Sequence, residues 1–281
     1  MRLRIAGLAR IGGWIGKPRG WERLVRLAAP PESCGQLGEL VVEREGFVLR
    51  IQPTTPLGWN VLLFGTYEPE LRAVFRGAMP AGGVAVDAGA NIGWHTLLLA
   101  RLAGPEGRVF AAEPNPSVRE RLAGNIAANR LENVSILPLA LAEAPSRVAF
   151  LGPSATDGAS GSGHLVPGSA AESGTFEVET RSLDSVVAES GIARLDLLKI
   201  DVEGFELAVL RGAEESIARF RPQIVFEFNA EYAPRGSATV QQFEELFARL
   251  RYRLSSVGRG GAKPLASGIW PPNTDIWAEP L

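Results

Sequence analysis

The chain has 281 residues, 46% hydrophobic and 21% charged, which suits a globular protein with room for one large α/β unit. A formal net charge of −2 excludes a molecule-wide field that would recruit nucleic acid or an anionic membrane. The single cysteine, Cys34, excludes an intrachain disulfide and fits the cytosol.

Charge is uneven at the start. Residues 1–30 carry seven basic side chains (Arg2, Arg4, Arg10, Lys17, Arg19, Arg23, Arg26) against one acid, Glu22, and read as a solvated helix rather than a membrane anchor. The opening MRLRIAGLARIGGWIG is broken by Arg10 and lacks a small-x-small cleavage site. No run of 18 apolar residues follows, so the expectation is a cytoplasmic protein without stable membrane insertion.

Residues 38–52, GELVVEREGFVLRIQ, alternate in polarity and predict a hairpin turning at Glu45-Gly46. Residues 67–79 predict a helix, with Pro69 in its first turn. This divides the chain into an N-terminal extension, 1–65, and a main domain, 66–281. Strands at 83–87, 107–112, 133–138, 195–200 and 222–228 then alternate with helices at about 92–103, 116–128, 205–218 and 239–249. Such alternation predicts a parallel sheet with helices on both faces. Residues 144–175, rich in Gly, Ser, Ala and Pro, read as a long loop, either a mobile lid or a surface insertion. YRLSSVGRGG and TDIWAEP predict a C-terminal antiparallel pair closing the sheet edge.

The segment VAVDAGANIGWHTLLLA, 84–100, is a strand, a glycine turn and a helix, an arrangement that lets backbone approach a nucleotide. A dinucleotide and S-adenosylmethionine compete for it. Either would use an acid after the second strand to hold ribose hydroxyls, and Glu113 in VFAAEPNP stands there, twenty residues past Gly93. The loop Asp87-Ala88-Gly89-Ala90-Asn91-Ile92-Gly93 carries Asn91 near the place of a pyrophosphate binder's middle glycine. Asp87 at the strand tip would repel a pyrophosphate and attract an ammonium, so the balance favours S-adenosylmethionine. In LDLLKIDVEGFELAVLRGA, 195–213, strand alternation puts Lys199, Asp201 and Glu203 on one side, beside the first strand.

The runs DAGANIGWHT, FAAEPNP, NIAANRLENV, TRSLDSV, LLKIDVEGFE and RPQIVFEFN, in this order and spacing, resemble the FkbM-type family of S-adenosylmethionine-dependent methyltransferases over roughly residues 66–230. The resemblance implies a Rossmann-like class I methyltransferase fold: a seven-stranded, mostly parallel sheet with an antiparallel C-terminal strand. It also implies methyl transfer to a hydroxyl of a sugar, glycan or secondary metabolite. Residues 1–60 and 152–175 match no part of that pattern and are expected to set the substrate.

Roles follow as expectations. Gly89 and Gly93 bring loop backbone to the methionine half, Asp87 meets its ammonium, and Asn91 touches the cofactor or caps the next helix. Glu113 holds the ribose, and Pro114, Asn115, Leu139 and Ala140 shape an adenine slot. Asp201 lies nearest the transferring methyl, Glu227 faces the pocket from the strand IVFEF, and His164 is a base that swings over the acceptor from its loop. Lys199 pairs with a carboxylate, while Glu203 and Glu206 sit in a first helical turn favoured by its dipole. His95 either contacts the methionine carboxylate or packs. No His/Cys spacing suggests zinc. The competing classes are a non-catalytic methyltransferase-like binding domain and an NAD-dependent oxidoreductase. RNA ribose methylation is disfavoured by the lack of a basic stripe outside residues 1–30.

Overall fold

A computed structural model describes residues 30–152, 163–166 and 175–281, with Val25 and Leu27. The basic segment read at 1–30 and much of the loop read at 144–175 lie outside the described residues.

A 3-10 turn, Pro31–Leu37, leads into a hairpin of β1 (Leu40–Arg44) and β2 (Phe47–Ile51), turning at Glu45-Gly46 as expected. Helices α1 (Pro56–Phe64) and α2 (Pro69–Ala78) follow. The Thr55 hydroxyl starts α1 by accepting from Gly58 N. The alternating part comprises β3 (Val84–Ala88), α3 (Trp94–Ala103), β4 (Arg108–Ala112), α4 (Pro116–Ala128) and β5 (Val134–Leu137). Next come β6 (Ala140–Leu141), β7 (Ser146–Leu151), β8 (His164–Val166), β9 (Thr175–Arg181) and α5 (Leu183–Ser190). The chain ends with β10 (Leu197–Ile200), α6 (Glu206–Arg211), α7 (Glu214–Phe220), β11 (Gln223–Asn229), α8 (Val240–Leu250), β12 (Tyr252–Gly258), β13 (Gly261–Pro264) and β14 (Asn273–Pro280).

The main sheet has the order β13-β12-β14-β11-β10-β3-β4-β5. Strands β11, β10, β3, β4 and β5 are mutually parallel, and β14 is antiparallel to both β11 and β12. After β3 the chain winds outward through β4 and β5, then returns to β10 on the other side of β3. That reversal opens a crevice at the carboxyl ends of β3 and β10, where doubly wound sheets bind ligands. Both sheet faces are covered: Val86 and Ala88 belong to one core with Leu198, Ile200 and Phe226, while Ala85 belongs to another with Trp94, Leu97 and Val109.

Three expectations are corrected among the described residues. The main sheet has eight strands rather than seven, because Gly261–Pro264 pairs with β12. The helix read over 205–218 is two helices: Gly212 N closes α6 on Ala208 O, and the Asp184 carboxylate restarts the chain as α7 by accepting from Ser216 N at 2.7 Å. The described residues of 144–175 include strands: β7, β8 and the start of β9 join β6 in a second sheet, ordered β6-β9-β7-β8. Its inward residues Phe150, Leu165 and Val178 pack with Ala140. The alternation of SRVAFL and TFEVETR carries that structure, within a composition dominated by small residues. Helices α1 and α5 were not among the elements expected.

The hairpin is not a loose appendage. Phe47, Leu49 and Ile51 share the core of Trp94 and Leu97. The outer edge of β2 meets one side chain of α4 and the residue that caps it: Val48 N donates to Asn129 Oδ1 at 2.9 Å, and Arg50 N to Asn125 Oδ1 at 2.7 Å. These bonds satisfy backbone groups that an open edge would expose. Buried Arg72 joins the parts, its Nη2 2.7 Å from Glu45 Oε2 and its guanidinium 4.5 Å from the Trp94 ring centre. Among the described residues, no helix is long and apolar enough to cross a membrane.

Candidate active site

The crevice is built around the turn after β3. Gly89 has φ +76°, and a Cβ there would lie 1.8 Å from Asp201 O, so only glycine lets this turn pass against the end of β10. Asn91, at φ +50°, donates its N–H to Glu113 Oε2 at 2.9 Å and accepts Ile92 N at 2.8 Å on its own side-chain oxygen. Glu113 Oε1 accepts Asn115 N at 2.8 Å. One carboxylate thus fastens two loops, with further lone pairs on both oxygens to offer a ligand. Burial pushes Glu113 up to about 7, against the pull of those two amides.

Lys199 lies beneath the turn. Its ammonium is 3.0 Å from Asp87 Oδ1, 3.0 Å from Gly89 O and 3.6 Å from Asp201 Oδ2. Thr96 Oγ1 donates to Asp87 Oδ2 at 2.6 Å. Burial alone would pull Lys199 down, but Asp87 and Asp201 outweigh it and hold the amine charged.

Carboxylates line the remaining wall: Glu68, Asp201, Glu203 and Glu227. Burial pushes Glu227 up to about 9, reinforced by Asp201, Glu203, Glu206 and Asp275. Burial also raises Asp201; Lys199 opposes this and Glu68 adds to it. Glu206 has a local task, its Oε1 accepting Val202 N at 3.0 Å and Gly204 N at 3.1 Å, and burial pushes it up to about 7. Glu68, in left-handed backbone at φ +46°, lies 2.8 Å from His95 Nε2. Burial pushes its carboxyl up, but the His95 contact outweighs burial and leaves it below the usual range. Buried His95 Nδ1 has no hydrogen-bond partner among the described residues, so Nε2 facing Glu68 is the ring's polar contact.

These groups surround a cavity of about 250 Å³. It brings together Gly89, Asn91, Glu113, Pro114, Ala140, Asp201, Glu227 and His164, all expected at the site. Four expected residues do not line it, Leu139 being buried elsewhere in the core. Asp87 is fully buried and faces Lys199, which takes the place foreseen for a ligand ammonium. Gly93 packs the start of α3 toward Leu122. Asn115 caps α4, its side-chain oxygen accepting Ser117 N at 3.0 Å. His164 is also corrected: it sits in β8, in register with Leu151, and not on a swinging loop. The cavity further recruits Glu68, Tyr67 and Tyr232, which were not anticipated, and Thr55, Pro56 and Leu57 from the segment expected to set the substrate. Only the position of Glu68 beside a helix-starting proline gave any signal in the sequence. Among the described residues, no group of three or more His, Cys, Asp or Glu is arranged to hold a metal ion.

The sheet order, the Gly89 turn and the acid at the end of β4 define a Rossmann-like methyltransferase domain. The Methyltransferase FkbM domain family matches residues 87–254, and the chain belongs to that family. Among curated relatives, Hexuronic acid methyltransferase AglP of Haloferax volcanii is 31% identical over 53% of this chain and 57% of its own length. The 2-O-methyltransferase NoeI of Sinorhizobium fredii is 29% identical over 49% of this chain and 60% of its own. A solved Methyltransferase FkbM from Methylobacillus flagellatus is 16% identical with a TM-score of 0.46, covering 78% of this chain and 52% of that one. The chain spans at most 62% of the length of the curated relatives it matches.

The cofactor is S-adenosylmethionine, and the cavity suits it. Glu113 presents a two-oxygen acceptor suited to vicinal hydroxyls, and Gly89 leaves room for close backbone approach.

Proposed function

We propose that the chain is an O-methyltransferase that moves the methyl group of S-adenosylmethionine to a hydroxyl of a sugar, glycan or secondary metabolite. The observation that carries this is one cavity with Glu113 at one end and Asp201 with Glu227 at the other, joined by the Gly89 turn. The names of AglP and NoeI, methyltransferases of a hexuronic acid and of a 2-O position, support a hydroxylated acceptor.

When bound, the cofactor supplies an electrophilic methyl: its S–CH3 bond breaks, an O–CH3 bond forms, the hydroxyl proton leaves and a neutral thioether remains. The chain's part is to hold the acceptor in line and receive that proton. Asp201, raised by burial and with its charged form favoured by Lys199, is the base. Glu227, protonated until about pH 9, donates a hydrogen bond that orients the acceptor. Glu113 holds the ribose, Asn91 and Gly89 offer backbone to the methionine half, and Pro114 and Ala140 flank the adenine. His164 contributes from β8 as part of the acceptor wall. Lys199 is a positioning residue that opposes the effect of burial on Asp201. We read residues 1–65 as an extension completing the cavity through Thr55–Leu57, residues 66–281 as the methyltransferase domain, and the protein as cytoplasmic.

Calorimetry with S-adenosylmethionine, its demethylated product S-adenosylhomocysteine and NAD tests the reading, together with transfer of labelled methyl to hydroxylated acceptors. Heat with the first two ligands and transfer are expected. Heat with NAD alone would reverse the assignment; heat without transfer to any acceptor would favour a non-catalytic binding domain.

A further inference from the structure

If Glu113 marks the adenosine end, the acceptor lies at the opposite end, walled by Glu203, Glu227, Asn229, Tyr232 and Asn273. Two independent features of this wall bear on what it holds.

The first is the ring of Tyr232. The Arg235 guanidinium lies 4.0 Å from its centre. The chain at Tyr232 is pressed against Gly204, where a Cβ would lie 2.2 Å from Tyr232 O. The backbone at Tyr232 is thus fixed, one ring face carries the Arg235 guanidinium, and an aromatic plane lining the cavity suits the C–H face of a sugar ring. Around it stand two amides, Asn229 and Asn273, opposite each other in the β11–β14 register, and two carboxyl groups. Amides and carboxyl groups beside an aromatic plane match the alternating hydroxyl and C–H surfaces of a pyranose.

The second is the state of the nearby cations. Among the described residues, Lys199 is the only Lys or Arg that lines the cavity. Its ammonium is committed to Asp87, Gly89 O and Asp201. Arg235, just behind the wall, donates to Glu203 O at 3.2 Å and has Glu203 Oε2 at 3.8 Å. An acceptor carboxylate or phosphate would therefore enter a cavity whose one lining cation among the described residues is already committed, and an anion taken out of water without a partner is costly.

We infer that the acceptor is an uncharged or amine-bearing sugar ring, stacked on Tyr232, and not a uronate or a sugar phosphate. This rests on the methyltransferase reading above and narrows its substrate class; it also separates this chain from a relative named for a hexuronic acid.

The test uses the full chain, methyl-labelled S-adenosylmethionine and nitrophenyl glycosides in the gluco, galacto and manno series, each as the neutral sugar, 2-amino sugar, uronate and 6-phosphate. The expected result is a kcat/KM for neutral or amino sugars at least about tenfold above that for the matching uronate and phosphate. Glu203→Gln keeps the backbone contact to Arg235 but removes its carboxylate partner. It is expected to narrow the neutral-to-uronate ratio about fivefold, a ratio that loss of folded protein does not move. A uronate or phosphate used as well as the neutral sugar, or a ratio unchanged in Glu203→Gln, overturns the inference. Transfer to none of these sugars, with S-adenosylhomocysteine still giving heat, also overturns it and leaves the methyltransferase reading standing. No heat with either cofactor form removes that reading and this inference together.

Discussion

Lys199 and Asp87 face each other in the β10–β3 register, ammonium to carboxylate at 3.0 Å, both buried at the centre of the main sheet. Removing one partner of such a pair leaves an uncompensated charge in the interior. Lys199→Met is expected to cost about 3–5 kcal/mol in urea unfolding. The double variant Lys199→Met with Asp87→Asn should recover part of that loss. Fully additive losses would mean that the two groups are not energetically coupled.

Gly89→Ala places a methyl group against Asp201 O in a backbone conformation that L side chains rarely adopt. The turn must move away from the end of β10, at a cost of about 1–3 kcal/mol for strain alone. Calorimetry is expected to find S-adenosylhomocysteine binding weakened along with stability. Unchanged affinity would show that the turn does not touch the ligand.

Glu113→Ala removes the acceptor of two backbone amides and of the proposed ribose contacts. Affinity for S-adenosylhomocysteine should fall by about 1.5–3 kcal/mol, the scale for bonds to a charged group. Wild-type affinity would take Glu113 out of the cofactor site.

Stability of the ligand-free chain should decline with rising pH. Glu113 and Glu206 titrate at about 7 and Glu227 at about 9 in the folded chain, all above their ordinary 4.5. Between those values the folded state holds protons that the unfolded state has released. This contribution is complete below the ordinary value and is lost as pH rises through the folded ones. Glu45 and Glu68, shifted downward, act only on the acid side. The urea midpoint is therefore expected to fall between about pH 5 and about pH 9. A flat or rising midpoint would contradict the assigned protonation states.

Asp201→Asn should lower kcat by about two to four orders of magnitude, the range for loss of a general base, with a smaller effect on S-adenosylhomocysteine affinity. Glu227→Gln, which keeps a donor, should retain most activity near neutrality and lose the fall in kcat/KM expected of the wild type above about pH 9. Equal losses at every pH would mean that Glu227 does not act through its proton.

The parallel strands were legible because β3, β4, β10 and β11 are short apolar runs; Gly89, Glu113 and Asp201 directly follow the first three, and Glu227 lies near the end of β11. What the sequence concealed is tertiary. Asp87 looked like a ligand group because nothing local reveals that Lys199, more than a hundred positions later, would neutralise it. Glu68 joins the cavity only because its left-handed kink turns it toward His95 once α2 lies beside α3. Tyr232 is held through the approach of its loop to Gly204, a contact without a local pattern. The second sheet was hidden by composition, since the small residues of its connections masked the alternation in β7 and β9.

The short strand β6 has a consequence for how such a protein diversifies. The second sheet leaves the main body at Ala140–Leu141 and rejoins it beside the same point, where Ala142 N meets Arg181 O at 2.9 Å. A segment whose two ends touch behaves as a cassette: it can lengthen, shorten or be exchanged without rethreading the parallel strands. One rim of the cavity is thereby free to change while the cradle beneath Glu113 keeps its shape.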